Sequence, residues 1–139
     1  MANRLYQQFQ YTAERSPVTL YSTVTIGAAG AVASGGVKGY GISSVAKQAT
    51  AGQYQVVLQD KFTRALSVQV QVVHSAISAV KSVQVLMTPA QLQTALAAGT
   101  AITIQCLDAA GAAVNPESGA QLFLQVVATN SSVDLGKGV

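Results

Sequence analysis

The sequence predicts an all-β fold, an antiparallel β-sandwich with one short helix. Three observations carry that expectation. Apolar residues recur at every second position through most of the chain, the period of a strand with one buried face. Hydrophobic residues make up 50% of the composition but aromatics only 6%, with no Trp, so Val, Ile, Leu and Ala must fill the core. Val and Ile suit a pleated surface. Helix start and stop signals come together in one segment only.

Taken in order, Leu5–Tyr11 alternates weakly. In Pro17–Ile26, Val18, Leu20, Val24 and Ile26 face one way, and Thr19, Tyr21, Thr23 and Thr25 the other. Tyr40–Gln48 reads as a strand paired across Ala49–Gly52 with a second that carries Tyr54, Val56 and Leu58 inward. In Ala65–His74, Leu66, Val68, Val70 and Val72 alternate with Ser67, Gln69 and Gln71. Three further series follow: Val83, Val85 and Met87; Ile102, Ile104 and Cys106; and Leu122, Leu124, Val126 and Ala128. That makes about eight strands, most with one polar face, as in a sandwich rather than a parallel sheet.

The helix follows Thr88. This residue suits the N-cap, Pro89 the first helical position, and Gln91 the reciprocal place in a capping box. Leu92 and Leu96 lie one turn apart, and Gly99 closes the helix in the left-handed conformation. Gly27–Gly36, GAAGAVASGG, reads as a flexible loop or tip. Asp108–Gly119 reads as a long hairpin loop with Gly111 and Asn115-Pro116 as turn formers.

A chain of 139 residues is expected to be one domain over 1–139, with an extended N-terminal arm at 1–11 and a C-terminal tail at 130–139. Only 9% of it is charged, against about 25% in an ordinary soluble domain. Gln, Ser and Thr occupy the polar positions instead. Such a surface is cheap to desolvate, and interface cores are likewise poor in charge. Much of it is therefore expected to be covered by other protein in the working state.

The net charge of +3 comes from eight cations scattered from Arg4 to Lys137. Nucleic-acid binding calls for clustered cations, so no specific nucleic-acid partner is expected. The nearest thing to such a motif is Lys47, Tyr54, Lys61, Phe62 and Arg64, cations interleaved with aromatics as in a stacking platform. Against it, Tyr54 alternates into the core and Lys61–Arg64 reads as a polar turn. The opening stretch MANRLYQQFQYTAERS has no apolar h-region, and no apolar run approaches the about 18 residues of a membrane span. Synthesis in the cytoplasm with no membrane partner is the expectation.

Chemistry has little to work with. The sole histidine, His74, ends a strand. The sole cysteine, Cys106, alternates with Ile102 and Ile104 and reads as a small core residue. With one cysteine no internal disulfide can form. The acids Glu14, Asp60, Asp108, Glu117 and Asp134 are dispersed and sit at turns, where Asp commonly binds its own backbone. Asp60 with Glu117 could form a glycosidase pair, but nothing beyond their presence supports it. Zinc needs three or four ligands of a kind of which two exist. Asp108–Glu117 lacks the alternating acids of a calcium loop, and no glycine-rich phosphate motif occurs. No catalytic residue, cofactor or metal is expected, and the chain is expected not to be an enzyme.

Two stretches resemble small head proteins of tailed bacteriophages. One is Gly41-Ile42-Ser43-Ser44-Val45-Ala46-Lys47 followed by Ala51-Gly52-Gln53-Tyr54-Gln55-Val56-Val57-Leu58-Gln59-Asp60. The other is the closing run Val126-Val127-Ala128-Thr129-Asn130-Ser131-Ser132-Val133. The resemblance is to capsid cement or decoration proteins, including the jelly-roll kind. It covers most of the chain as a pattern and contains no specific motif. It implies a jelly-roll sandwich on the outer surface of the virion capsid. The implied partners are the major capsid protein and other copies of itself, as a homodimer or homotrimer, bridging neighbouring capsomers and stabilising the expanded head.

Within that reading, Ala2–Tyr11 and Gly27–Gly36 reach onto the shell or an adjacent copy. Leu5, Tyr6, Phe9 and Tyr11 are the candidate apolar anchors, aromatics being enriched at hot spots. The competing reading makes Leu5–Tyr11 the first strand of the sandwich. Pro17 and Lys81 are expected to blunt sheet edges. Other phage structural subunits (tail tube, fibre or minor head protein) and a carbohydrate-binding sandwich are the alternatives.

Overall fold

The computed structural model describes residues 17–129. Its elements are β1 (Pro17–Ile26), β2 (Val32–Tyr40), β3 (Ile42–Lys47), β4 (Gln53–Leu58), β5 (Arg64–Val73), β6 (Ser82–Val85), α1 (Pro89–Ala98), β7 (Ile102–Leu107) and β8 (Gln121–Thr129). One four-stranded sheet has the order β2-β1-β8-β5 and the other β3-β4-β7-β6. Every pairing is antiparallel. The inner faces share one core in which Leu20, Val24 and Ile26 meet Tyr54, Val56, Ile102, Ile104, Cys106, Leu122, Leu124 and Val126. The all-β sandwich with one short helix is therefore present.

The strand pairing does not by itself establish a jelly roll: β1–β2, β3–β4 and β6–β7 are partners within a sheet. The other successive strands cross from one sheet to the other, and Asp108–Gly119 is one of those crossovers. It is not a hairpin loop, because β7 and β8 lie in different sheets. Its acid does bind local backbone: Asp108 Oδ1 accepts from Ala110 N at 2.8 Å and Ala112 N at 2.9 Å.

The helix forms where its caps predict. Thr88 accepts from Gln91 N at 3.2 Å, and the Gln91 side chain accepts from Thr88 N at 2.9 Å. Gly99 closes it at φ 76°. The helix sits between two antiparallel neighbours, β6 and β7, and buries Ala95 and Leu96. Its Gln93 carboxamide accepts from Ala65 N at 2.8 Å and donates to Ala65 O at 3.3 Å. That amide stands in for a neighbouring strand at the start of β5.

Four local expectations are corrected. Gly27–Gly36 is not a loop throughout: a short 3-10 turn at Ala28–Gly30 leads straight into β2. Glycine is needed there because a Cβ on Gly36 would stand 2.8 Å from Ala33 O and 2.9 Å from Thr25 O. Leu66 does not share the inward face of Val68, Val70 and Val72. The register passes from Ala65↔Ala128 to Ser67↔Val127, so Leu66 is the extra residue of a bulge and is turned outward. The Lys61–Arg64 turn is not wholly polar, because Phe62 is buried and its N–H donates to Leu96 O at 3.1 Å. Pro17 opens the interior strand β1 rather than guarding an edge, while Lys81 does immediately precede the edge strand β6.

Candidate functional site

The residues considered for chemistry are dispersed or occupied. His74 lies one residue past β5 and its Nδ1 accepts from Ala76 N at 3.3 Å. Cys106 is fully buried in β7, and burial pushes its thiol up to about 12. Its thiolate is thus strongly disfavoured at neutral pH. Iodoacetamide at pH 8 is expected to leave the native protein unmodified and to alkylate one site after unfolding. Labelling of the folded chain on the same timescale would contradict this.

Among the described residues no three His, Cys, Asp or Glu side chains come close enough to hold a metal ion. Lys47, Tyr54, Lys61, Phe62 and Arg64 offer no stacking platform, since both rings are buried. The anchors Leu5, Tyr6, Phe9 and Tyr11 fall outside the described residues.

Glu117 has a structural task. Its carboxylate accepts from Ala79 N at 2.6 Å and from Ser78 Oγ at 2.7 Å, tying the crossover to the loop between β5 and β6. Lys81 Nζ donates to Ser78 O at 2.7 Å. The loop so held carries Ile77, which is 92% exposed. The bond from the Ala79 backbone N–H, with that from the Ser78 hydroxyl, holds the Glu117 carboxyl below the usual range. A lowered folded pKa gives stability that is present above the unfolded value, near 4.3. It is lost as pH falls through the folded pKa. The Tm advantage of the natural protein over Glu117→Gln is therefore expected to be full at pH 6–7 and to shrink below about pH 4. A difference independent of pH would refute this.

The surface that stands out is the outer face of the β2-β1-β8-β5 sheet. Alternation sends Tyr21 and Phe123 outward, and pairing then assembles them. Tyr21 lies opposite Tyr40 on β2 and Gln125 on β8. Phe123 lies opposite Thr23 on β1 and Gln71 on β5, and Gln69 opposite Gln125. Tyr21 and Tyr40 meet edge to face, with ring centroids 6.5 Å apart and planes at 74°, a favoured aromatic geometry. Tyr21, Tyr40 and Phe123 remain 49%, 65% and 43% exposed.

The four strands contain no Asp or Glu, and their only cations are Lys38 and Arg64. Glutamine and threonine, with Ser67, Val73 and Val127, fill most of the rest of the face. Covering it costs less than covering a charged surface, because neutral polar groups lose less hydration than ions. Of the three rings the alternation in the sequence turned Tyr21 outward, but their adjacency was not readable, since register joins strands far apart in sequence. Compared with protein-family models, with curated proteins and with solved structures, the chain gives no match.

Proposed function

We propose that this chain is a structural virion protein, a cement subunit that binds the outside of a bacteriophage capsid and bridges neighbouring major capsid subunits. The observation that carries the reading is the outer face of the β2-β1-β8-β5 sheet. It is broad, free of carboxylates and set with three exposed aromatic rings. Exposed aromatic clusters on charge-poor surfaces mark interaction surfaces. Aromatics supply much of the binding energy where such surfaces are covered. The resemblance of Gly41–Lys47, Ala51–Asp60 and Val126–Val133 to phage head proteins supplies the identity of the partner. On this reading the protein also associates with its own copies, and Leu5, Tyr6, Phe9 and Tyr11 add contacts to the shell.

Co-sedimentation of the purified protein with phage heads that lack it, expanded and unexpanded, tests the proposal. Saturable binding to expanded heads, with greater resistance to heat rupture, is expected. Paired Tyr21→Ser and Phe123→Ser changes are expected to weaken that binding by tenfold or more, on the order of a hot-spot loss. Absence of binding to either form overturns the reading. Self-assembly into tubes without a shell would then identify a tail-tube subunit.

A further inference from the structure

Among the described residues the two sheets leave four edge strands, β2, β5, β3 and β6. Exposed edges invite pairing with other chains, and proteins blunt them with charges, bulges, glycine kinks, short length or a covering element. Three edges here carry such devices. β2 contains Lys38 and the positive-φ residues Gly35 and Gly39. β3 is broken by a register shift after Ile42 and ends on Lys47. β6 has only 4 residues and follows Lys81.

β5 is different. Its start is blocked twice, by the Gln93 carboxamide on Ala65 and by the bulge at Leu66. From Ser67 to Val73 it reads SVQVQVV, with no charge, glycine or proline. Shallow concavities lie alongside this stretch, lined by Val68, Val70, Val72 and, from the facing sheet, Val83. The inward valines of β5 are only partly buried there.

We infer that a second copy of this chain pairs with this edge, β5 against β5 in antiparallel fashion, about a two-fold axis through Val70. The stretch is a palindrome over its central residues: Val68, Gln69, Val70, Gln71, Val72. An antiparallel two-fold requires a self-complementary strand. This register sets Gln69 opposite Gln71, Val68 opposite Val72 and Ser67 opposite Val73, on both sides of the axis. Glutamine meets glutamine on the outer face, and valine meets valine on the inner one, with no like charges opposed. The open window runs from Ser67 to Val73, and its midpoint is Val70 as well.

Pairing joins the two β2-β1-β8-β5 sheets into one continuous sheet and extends the aromatic face across both copies. It also brings the loop that carries Ile77 toward the other copy's α1, which flanks the start of β5. The inference specifies the self-association in the proposed function and does not depend on the shell, so failure of head binding leaves it standing.

Sedimentation velocity of the purified full chain, without heads, tests it. A reversible dimer is expected. Gln69→Lys with Gln71→Lys places Lys against Lys twice, and dimerisation is expected to weaken by about tenfold or more. Gln69→Glu with Gln71→Lys places Glu against Lys twice and is expected to restore it. Both positions are exposed and outward, so the monomer fold should tolerate them. Amide exchange in the natural protein provides a readout without variants: protection within 67–73 should fall on dilution. A monomer at all concentrations, a trimer, or a dimer indifferent to the double-lysine change overturns the inference. Protection of 67–73 that does not vary with dilution overturns it too.

Discussion

Tyr54→Ala is expected to lower the unfolding free energy by ~3–5 kcal/mol, the range for removing a fully buried aromatic side chain. Tyr54 is fully buried in the centre of the β3-β4-β7-β6 sheet. Its ring fills the space between the sheets, and its hydroxyl donates to Gly30 O at 2.6 Å. Burial, with the neighbouring Cys106, raises the phenol above its ordinary range, so it remains a neutral donor. Tyr54→Phe separates the two contributions. It keeps the ring and strands the Gly30 carbonyl, which is expected to cost ~1–3 kcal/mol. Equilibrium urea unfolding of both variants measures the split. A loss for Tyr54→Phe as large as that for Tyr54→Ala would show that the hydroxyl, not the packing, dominates.

Gly52→Ala is the second large effect, an expected loss of ~2–4 kcal/mol from left-handed strain plus a steric clash. Gly52 stands at φ +65°, and a Cβ there would run into the Val114 carbonyl. The close approach exists because two connections and the end of β7 meet at this end of the sandwich. Gly52 N donates to Asn115 Oδ1 at 2.6 Å, and Cys106 N donates to Gly52 O at 2.9 Å. Gln105 Nε2 donates to Ala51 O at 2.7 Å and to Cys106 O at 3.1 Å. The β3–β4 turn, β7 and the crossover after β7 are thereby tied together. Gly111 shares a positive φ but has open space around it. Gly111→Ala is therefore the control and should cost only the backbone part of the penalty. Thermal melts in which both variants lose the same stability would exclude the clash.

Both effects concern residues whose importance was only half visible in the sequence. Alternation placed Tyr54 inward beside Val56 and Leu58, and the structure buries all three. Nothing in the sequence told of Gly30 as its hydrogen-bond partner, because that bond joins β4 to the turn between β1 and β2, distant in sequence. Gly52 reads as an ordinary turn glycine. Its intolerance of a side chain comes from Val114, brought there by the crossover. Phe62 stands alone among polar neighbours, and only the packing of α1 gives it a burial site. Gly36 of β2 looked like loop, since its use is to let the strand approach Thr25, a contact that exists only once β1 and β2 pair.

The sequence by itself determined the interactions that span a few residues. Period-two alternation set the inward series of β1, β4, β7 and β8. The Thr88–Gln91 capping box with Gly99 set the helix. The sparse charge set a surface that is cheap to cover. These depend on local geometry and composition, which a linear chain displays directly. Tertiary structure decided the partners. It set Pro17 against Thr129 and Gln71 against Phe123. It put β7 and β8 in opposite sheets, expelled Leu66 into a bulge, and, among the described residues, left the uncharged part of β5 paired on one side only. Register and strand order arise from the shared burial of faces distant in sequence, and a periodicity of two is the same for every strand that has it.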